Sequence, residues 1–205
     1  RRRMEERLRH SLDETARGQQ MLLALSQATQ DMQRAKTPEE IYRTIGKGIA
    51  GLGYDVAVFG LSADLSYLIP VHMTYDPDDL QAAAAITGFT PQEHQLPVVP
   101  GGLVEQVIAV GKAVFSPEPD QYMTQVLPDR LDPSLKQLTS SMGVKHVIHA
   151  PLIVADEIHG LLVITGPDLR EADTEIMSVF ASHTAIALKN AQMFQEARTW
   201  AAELE

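Results

Sequence analysis

The sequence predicts an α+β fold built on a mostly antiparallel sheet. Segments of helical period lie at both ends of the 205 residues, and apolar runs of period two lie between them. Two pairs of those runs are joined by turns of only a few residues, which makes each pair a hairpin. With 44% apolar residues the chain can bury a core of its own, and its length suits one domain with extra helix.

The first helix is expected from about Met4 to Ala35, with Leu8, Leu12, Leu22, Leu25 and Met32 spaced for one face. Thr37-Pro38-Glu39-Glu40 is a helix start: threonine as cap, proline at the first helical position, acids in the first turn. That second helix carries Ile41, Ile45 and Ile49 and stops at Gly51-Leu52-Gly53. The period then changes to two. Tyr54 to Leu61 reads as a strand, Ser62-Ala63-Asp64 as a turn, and Tyr67 to Met73 as the hairpin partner.

The middle of the chain is irregular. A helix-prone stretch from Asp78 to Ala85 gives way to Pro91, Pro97, Pro100 and Gly101-Gly102, then to a short helix from Leu103 to Val110 and a brief strand from Lys112 to Phe115. Pro117 to Pro133 holds four prolines and reads as a loop long enough to pass over a site. Ser134 to Met142 reads as a short helix ended by Gly143. Val147 to Val154 and Glu157 to Thr165 form a second hairpin about Ala155-Asp156, and Glu171 to about Trp200 forms the last helix. Neither turn residue is the usual occupant of a type I′ turn, so the turn type stays open.

Three histidines sit in this second hairpin, and strand alternation decides whether they can share a metal. A two-residue turn pairs Val154 with Glu157, Leu152 with His159 and Ala150 with Leu161. One face then carries His146, Ile148, Ala150 and Leu152 with His159, Leu161 and Val163; the other carries Val147, His149, Pro151 and Ile153 with Ile158, Leu162 and Ile164. His146 and His149 are an odd number of residues apart, so they point to opposite faces in any register. His146 and His159 share a face but stand ~20 Å apart along it. No single metal site is expected from them. His149, in the middle of an apolar strand, is either a core histidine bonded to a backbone carbonyl or a polar contact in a ligand pocket.

Net charge is −10, and eleven acids between Asp55 and Asp132 stand against Lys112 and Arg130 alone, which disfavours nucleic acid as a partner. The chain has no cysteine, so disulfides, thiol catalysis and thioether-attached chromophores are excluded. It starts at Arg1 without an initiator methionine and is expected to be a piece of a longer protein, with no signal peptide, no membrane contact and a cytoplasmic location.

The stretches LPVVPGGLVEQVIAVGKAVF (96–115), SSMGVKHVIHAPLIVADEIHGLLVIT (140–165) and ADTEIMSVFASHTAIALKNAQMFQEA (172–197) resemble the GAF domain family of small-molecule-sensing modules. The resemblance spans about Leu22 to Ala197 with its landmarks in the family's order. It implies a GAF-like central antiparallel sheet of five or six strands, the N- and C-terminal helices on one face, and a ligand pocket with short helices on the other. Residues 1–21 are then a linker or coiled-coil helix, 22–200 the domain with its exit helix 171–200, and 201–205 the start of a further linker. Bilin-binding relatives direct the face matching Val147, His149 and Pro151 toward the chromophore, and carried over this way Phe59, His149, Pro151 and Ile164 line a pocket, with Tyr122 of the proline-rich loop over it. The cofactor stays unknown, and none is attached through cysteine.

The last helix carries a heptad pattern: Ile176, His183, Asn190, Ala197 and Leu204 in one row, Val179, Ile186, Met193 and Trp200 in the next, and Phe180, Ala187, Phe194 and Ala201 beside them. A stripe this wide can serve both the sheet and a partner helix, and Asn190 is the kind of amide that fixes register in a dimer. A homodimer through the terminal helices is expected, with His183, Ile186, Asn190, Met193, Ala197 and Trp200 at its interface. Ala181-Ser182-His183-Thr184 lacks the flanks of a phospho-accepting box.

The resulting expectation is a non-catalytic sensory or regulatory domain of a signal-transduction protein, on family frequency a sensor histidine kinase. It would bind a small ligand, dimerise, or do both, and relay its state through the terminal helices. Two alternatives remain from the sequence: a haem or non-covalent tetrapyrrole sensor with His149 or His94 as contact, and a metal-dependent hydrolase using His72, His94 and His149 with Asp76, Asp78 and Asp79. The acids of that last group are more economically a helix N-cap.

Overall fold

The structure is a computed structural model that describes residues 2–87, 90, 95–119 and 143–203. Its elements run α1 (Arg2–Met32), α2 (Pro38–Ala50), β1 (Asp55–Leu61), β2 (Tyr67–Met73), α3 (Pro77–Thr87), β3 (Leu96–Pro97), α4 (Leu103–Val110), β4 (Val114–Ser116), β5 (His146–Val154), β6 (Glu157–Gly166), a 3-10 turn (Glu171–Asp173) and α5 (Thr174–Glu203). The helix expected over 134–142, and the proline-rich loop beyond Pro119, lie outside the described residues. The sheet has six strands in the order β3-β2-β1-β6-β5-β4, and every neighbouring pair is antiparallel. The two-residue strand β3 was not expected.

The start of α2 is held by the signals in its sequence. Thr37 accepts from the Glu40 N–H at 3.2 Å, and the Glu40 carboxylate accepts from the Lys36 N–H at 2.7 Å. Ile41, Ile45 and Ile49 are fully buried. Gly48 lets α1 cross closely, because a Cβ there would stand 2.7 Å from that of Ala28.

The first helix has two apolar faces rather than the single one its leucines suggest. Met21, Leu25, Ala28 and Met32 form the buried stripe, at spacings of four, three and four, while Leu8, Leu12 and Leu22 are exposed. Leu22 lies one residue, or about 100° around the helix, past Met21 and so misses the core.

The central hairpin departs from simple alternation. Ala155 and Asp156 both take left-handed backbone, with φ of 50° and 66°, which makes a type I′ turn from residues that seldom form one. Val154 pairs with Glu157 and Ile153 with Ile158, but Leu152 then pairs with Gly160, leaving His159 as the extra residue of a bulge. Beyond the bulge Ala150 faces Leu162 and Ile148 faces Ile164, not Leu161 and Val163 as simple pairing predicts. Gly160 is required here, since a side chain at this position would run into the Phe59 carbonyl oxygen of β1.

The two faces of the sheet carry two cores. Val56, Val58, Ile148, Ala150, Leu162 and Ile164 pack on one side against α1, α2 and α5. On the other side Ala57, Phe59, Val147, Leu161 and Val163 pack with Ala83 of α3 and with Val104 and Val107 of α4. A left-handed conformation costs a residue other than glycine ~1 kcal/mol. Replacing the turn by Ala155→Asn with Asp156→Gly should therefore stabilise the chain by about 1 kcal/mol, read as a higher midpoint in chemical denaturation. An unchanged or lower midpoint would mean that this turn is not the strained element described.

Candidate functional site

The second face of the sheet is built in rungs. Phe59, Leu161 and Pro151 stand side by side across β1, β6 and β5; the next rung is Ala57, Val163, His149 and Val114, and the next Asp55, Thr165, Val147 and Ser116. Phe59, His149 and Pro151 thus share one face, as expected. Ile164 does not: the bulge at His159 turns it to the helix side, in a rung with Val56 and Ile148. Tyr122 lies outside the described residues.

His149 is fully buried, and burial draws its imidazole pKa down to about 3, so the ring is neutral at ordinary pH. Tyr75, half-buried, has its phenol pushed up to about 12 by desolvation and accepts a hydrogen bond from the Thr165 hydroxyl at 3.2 Å. Ser116, on the Thr165 rung, is buried and donates to the Glu118 carbonyl at 3.3 Å. These neutral polar groups lie among apolar neighbours, an arrangement suited to fixing the orientation of a small ligand by hydrogen bonds rather than by charge. The hydroxyls were missed in the sequence, although Thr165 ends an otherwise apolar run and so carried a signal.

The other histidines are elsewhere. His146 packs beside Phe115 with ring centroids 5.6 Å apart, and His159 is exposed at the bulge. His72 stacks on Tyr42 of α2 at 6.1 Å, its pKa lowered by burial, on the face opposite His149; His94 lies outside the described residues. Asp76 accepts from the Asp78 N–H at 2.8 Å, which makes it the cap of α3. The hydrolase grouping is therefore not assembled: the sheet separates His72 from His149, and Asp76 caps a helix. Among the described residues no group of histidine and carboxylate side chains is placed to hold a metal.

On the helix side α1 and α5 run in the same direction. Arg17 of α1 reaches the start of α5, while Met32 at the end of α1 accepts from Thr184, ten residues into α5, with 3.7 Å between sulfur and oxygen. Arg17 forks both Asp173 oxygens, at 2.9 and 2.7 Å, and also donates to the Tyr54 hydroxyl and the Asp168 carbonyl, each at 2.8 Å. The hydrogen bonds it donates to Asp173 raise the guanidinium above its already high pKa. Asp173 in turn accepts from the Arg170 N–H at 2.8 Å, holding the turn that opens α5, and Arg170 pairs with Glu14 at 3.0 Å.

Met177, Phe180, Ala181, Thr184, Ala185, Leu188 and Ala191 form the buried face of α5. His183, Ile186, Asn190, Met193, Ala197 and Trp200 are all exposed. A groove of about 450 Å³ runs between α1 and α5, with Leu22, Ser26 and Thr29 on one wall and Ile176, Val179 and His183 on the other.

A six-stranded antiparallel sheet with long terminal helices on one face and buried polar groups on the other defines a small α+β domain. The chain belongs to the GAF domain family, which matches residues 37–188. Among solved structures it is similar to a GAF domain of a phosphoenolpyruvate-protein phosphotransferase from Coxiella burnetii, with 16% identity, 85% of this chain and 96% of that chain covered, and a TM-score of 0.61. It is similar also to residues 122 to 287 of a methyl-accepting chemotaxis protein, with 18% identity, 81% and 97% covered, and a TM-score of 0.59. A far-red absorbing protein in its dark state, with bound biliverdin IXa, gives 14% identity, 82% and 99% covered, and a TM-score of 0.57. At such identities the likeness establishes the fold alone. Comparison with curated proteins gives no match. Among the described residues no helix is long and apolar enough to cross a membrane.

Two consequences can be measured. Because the folded-state pKa of His149 lies near 3 against an ordinary 6.5, its contribution to stability is complete above ~6.5 and is lost as pH falls toward 3. His149→Leu should flatten the fall in denaturation midpoint between about pH 7 and about pH 4.5; an equal fall in both chains would rule this histidine out as the cause. Arg17→Gln should cost about 1–2 kcal/mol, after allowance for the guanidinium's solvent-facing edge, and raise amide exchange over residues 2–16. Unchanged exchange there would show that the fork does not hold α1 in place.

Proposed function

We propose that this chain is a non-catalytic sensory or regulatory domain that couples a small-ligand site on one face of its sheet to a helical output on the other. The observation that carries this reading is the co-directional pair α1 and α5. One helix enters, the other leaves, and both pack on the sheet whose opposite face holds His149. From Arg2 to Asp13 α1 runs ~18 Å up to Glu14, which pairs with Arg170, and α5 extends about as far beyond Ala191, its last buried residue among those described. These extensions emerge from opposite ends, a layout that suits insertion between an upstream and a downstream module.

The exposed heptad rows of α5 support a homodimer formed through the terminal helices. A ligand that repacked the second face would bias the helix pair by as much as its affinities for the two arrangements differ. Within signal transduction the parent is proposed to be a sensor histidine kinase. The chemotaxis protein among the structural neighbours supports a signalling role, and the biliverdin-bound protein supports a tetrapyrrole as one kind of ligand.

Native mass spectrometry of the purified chain tests both halves of the proposal. The expected result is a dimer, with a co-purified small molecule that is lost or weakened in His149→Leu. A visible absorption band would identify that molecule as haem or another tetrapyrrole. A monomer at tens of micromolar that also carries no small molecule would overturn the reading.

A further inference from the structure

Gly60 and Gly160 pair across β1 and β6, yet packing requires only one of them. A side chain at Gly160 would run into the Phe59 carbonyl oxygen, whereas a Cβ on Gly60 would meet nothing closer than Val71 Cγ2 at 3.8 Å and the Ile69 carbonyl oxygen at 3.9 Å. Gly60 has no positive φ either. A glycine inside a strand weakens it, since there is no side chain to pack. Here the missing side chain leaves a cavity of about 80 Å³ on the helix side of the sheet, several times the ~10–15 Å³ that one water needs.

The floor of this cavity is apolar. Val58 and Leu152 of the sheet and Leu188 of α5 line it, all three buried. Val71 lines it too and, with Ile69, the partner of Gly60 on β2, carries apolar surface outward, 45% and 38% exposed. The rim is polar. Tyr42 of α2, His159 of the bulge, and Lys189 and Gln192 of α5 stand there, and each has a hydrogen-bond donor. The Tyr42 ring is steadied by its stack on His72. Among the described residues no carboxylate lines the cavity and Lys189 makes no ion pair. The residues three and four positions from Lys189 on α5 are Ala185, Ile186, Gln192 and Met193, none of them acidic. In a chain of net charge −10, this is a local site for an anion.

We propose that this cavity is a second ligand site, separate from the His149 face, and that it takes a small monocarboxylate with a short apolar tail. The carboxylate pairs with Lys189 at the rim and accepts from the neighbouring donors. The tail fills the space that Gly60 leaves and continues along Val71 and Ile69. An inorganic anion has nothing to set on the apolar floor, and an amine would bring its charge up to that of Lys189. Bound there, the acid touches α5 just before Ala191, the last buried residue of that helix among those described. It acts on the leaving helix directly, not through the sheet, and needs no ligand on the His149 face.

Titration calorimetry on the purified chain should show saturable binding of hexanoate, with hexylamine and inorganic phosphate weaker by about ten-fold or more. Lys189→Met, at an exposed position, should weaken hexanoate by about ten-fold. Gly60→Ala should weaken it by a similar factor while the denaturation midpoint stays the same or rises, because the added methyl has room. Amide shifts induced by hexanoate should centre on Gly60, Gly160, Lys189 and Gln192. No saturable binding, or hexylamine binding as tightly as hexanoate, would overturn the carboxylate assignment. Full affinity in both variants, or shifts centred on His149 and Thr165 with α5 unmoved, would overturn the location. A lower midpoint in Gly60→Ala would show that packing requires this glycine after all, and would remove the argument for a cavity kept open.

Discussion

The ribbon of β5 and β6 is apolar on both faces, and α1 to α5 are each placed by which of the two they cover. Its helix-side row, from Ile148 to Leu152 and on β6 from Leu162 to Ile164, draws down α1, α2 and α5 with their fully buried isoleucines and methionines. Its second row, from Val147 through Val163 and Leu161, gathers α3 and α4. The bulge at His159 sets the phase between the two strands. Without it β6 would present its leucines and isoleucines to the wrong sides, and Gly160 would lose its close seat under β1. A large apolar burial on each face makes that phase expensive to change, since a slip would expose both rows at once.

This arrangement also separates the buried polar groups of the sheet from the terminal helices. The buried polar side chains of the sheet, His149, Thr165 and Ser116, lie on the second face, and Tyr75 joins them through Thr165. Each is neutral or hydroxylic, so the face can hold a small molecule by direction of hydrogen bonds without a buried charge. The helix side has a different character. Its strongest polar interaction is Arg17 with Asp173, which ties the entering helix to the cap of the leaving one directly, not through the sheet. A bidentate, charge-assisted link thereby joins α1 to the first turn of α5.

Much of this was legible because the periods are clean. Thr37-Pro38 and the isoleucines at 41, 45 and 49 specify α2 by local rules alone, and the structure shows the threonine cap they imply. The odd spacing of His146 and His149 put them on opposite faces whatever the register. Where the reading failed, the cause was non-local. Leu8, Leu12 and Leu22 look like the leucines that pack, but Met21 and Ala28 occupy the buried stripe because the close crossing at Gly48 selects that side of α1. Simple alternation from a two-residue turn puts Ile164 on the His149 face, and the bulge at His159 reverses that.

The sequence by itself determined the α+β class, the elements at both ends, the hairpin about Ala155-Asp156 and the impossibility of cysteine chemistry, since each follows from composition or from contacts between residues close in the chain. Only the tertiary structure decided which side of the sheet each β6 residue faces, that α1 and α5 run together, and that Arg17 reaches Asp173 across 156 positions. Those outcomes depend on how separate surfaces fit against one another, and a pattern of neighbours along the chain does not contain that fit.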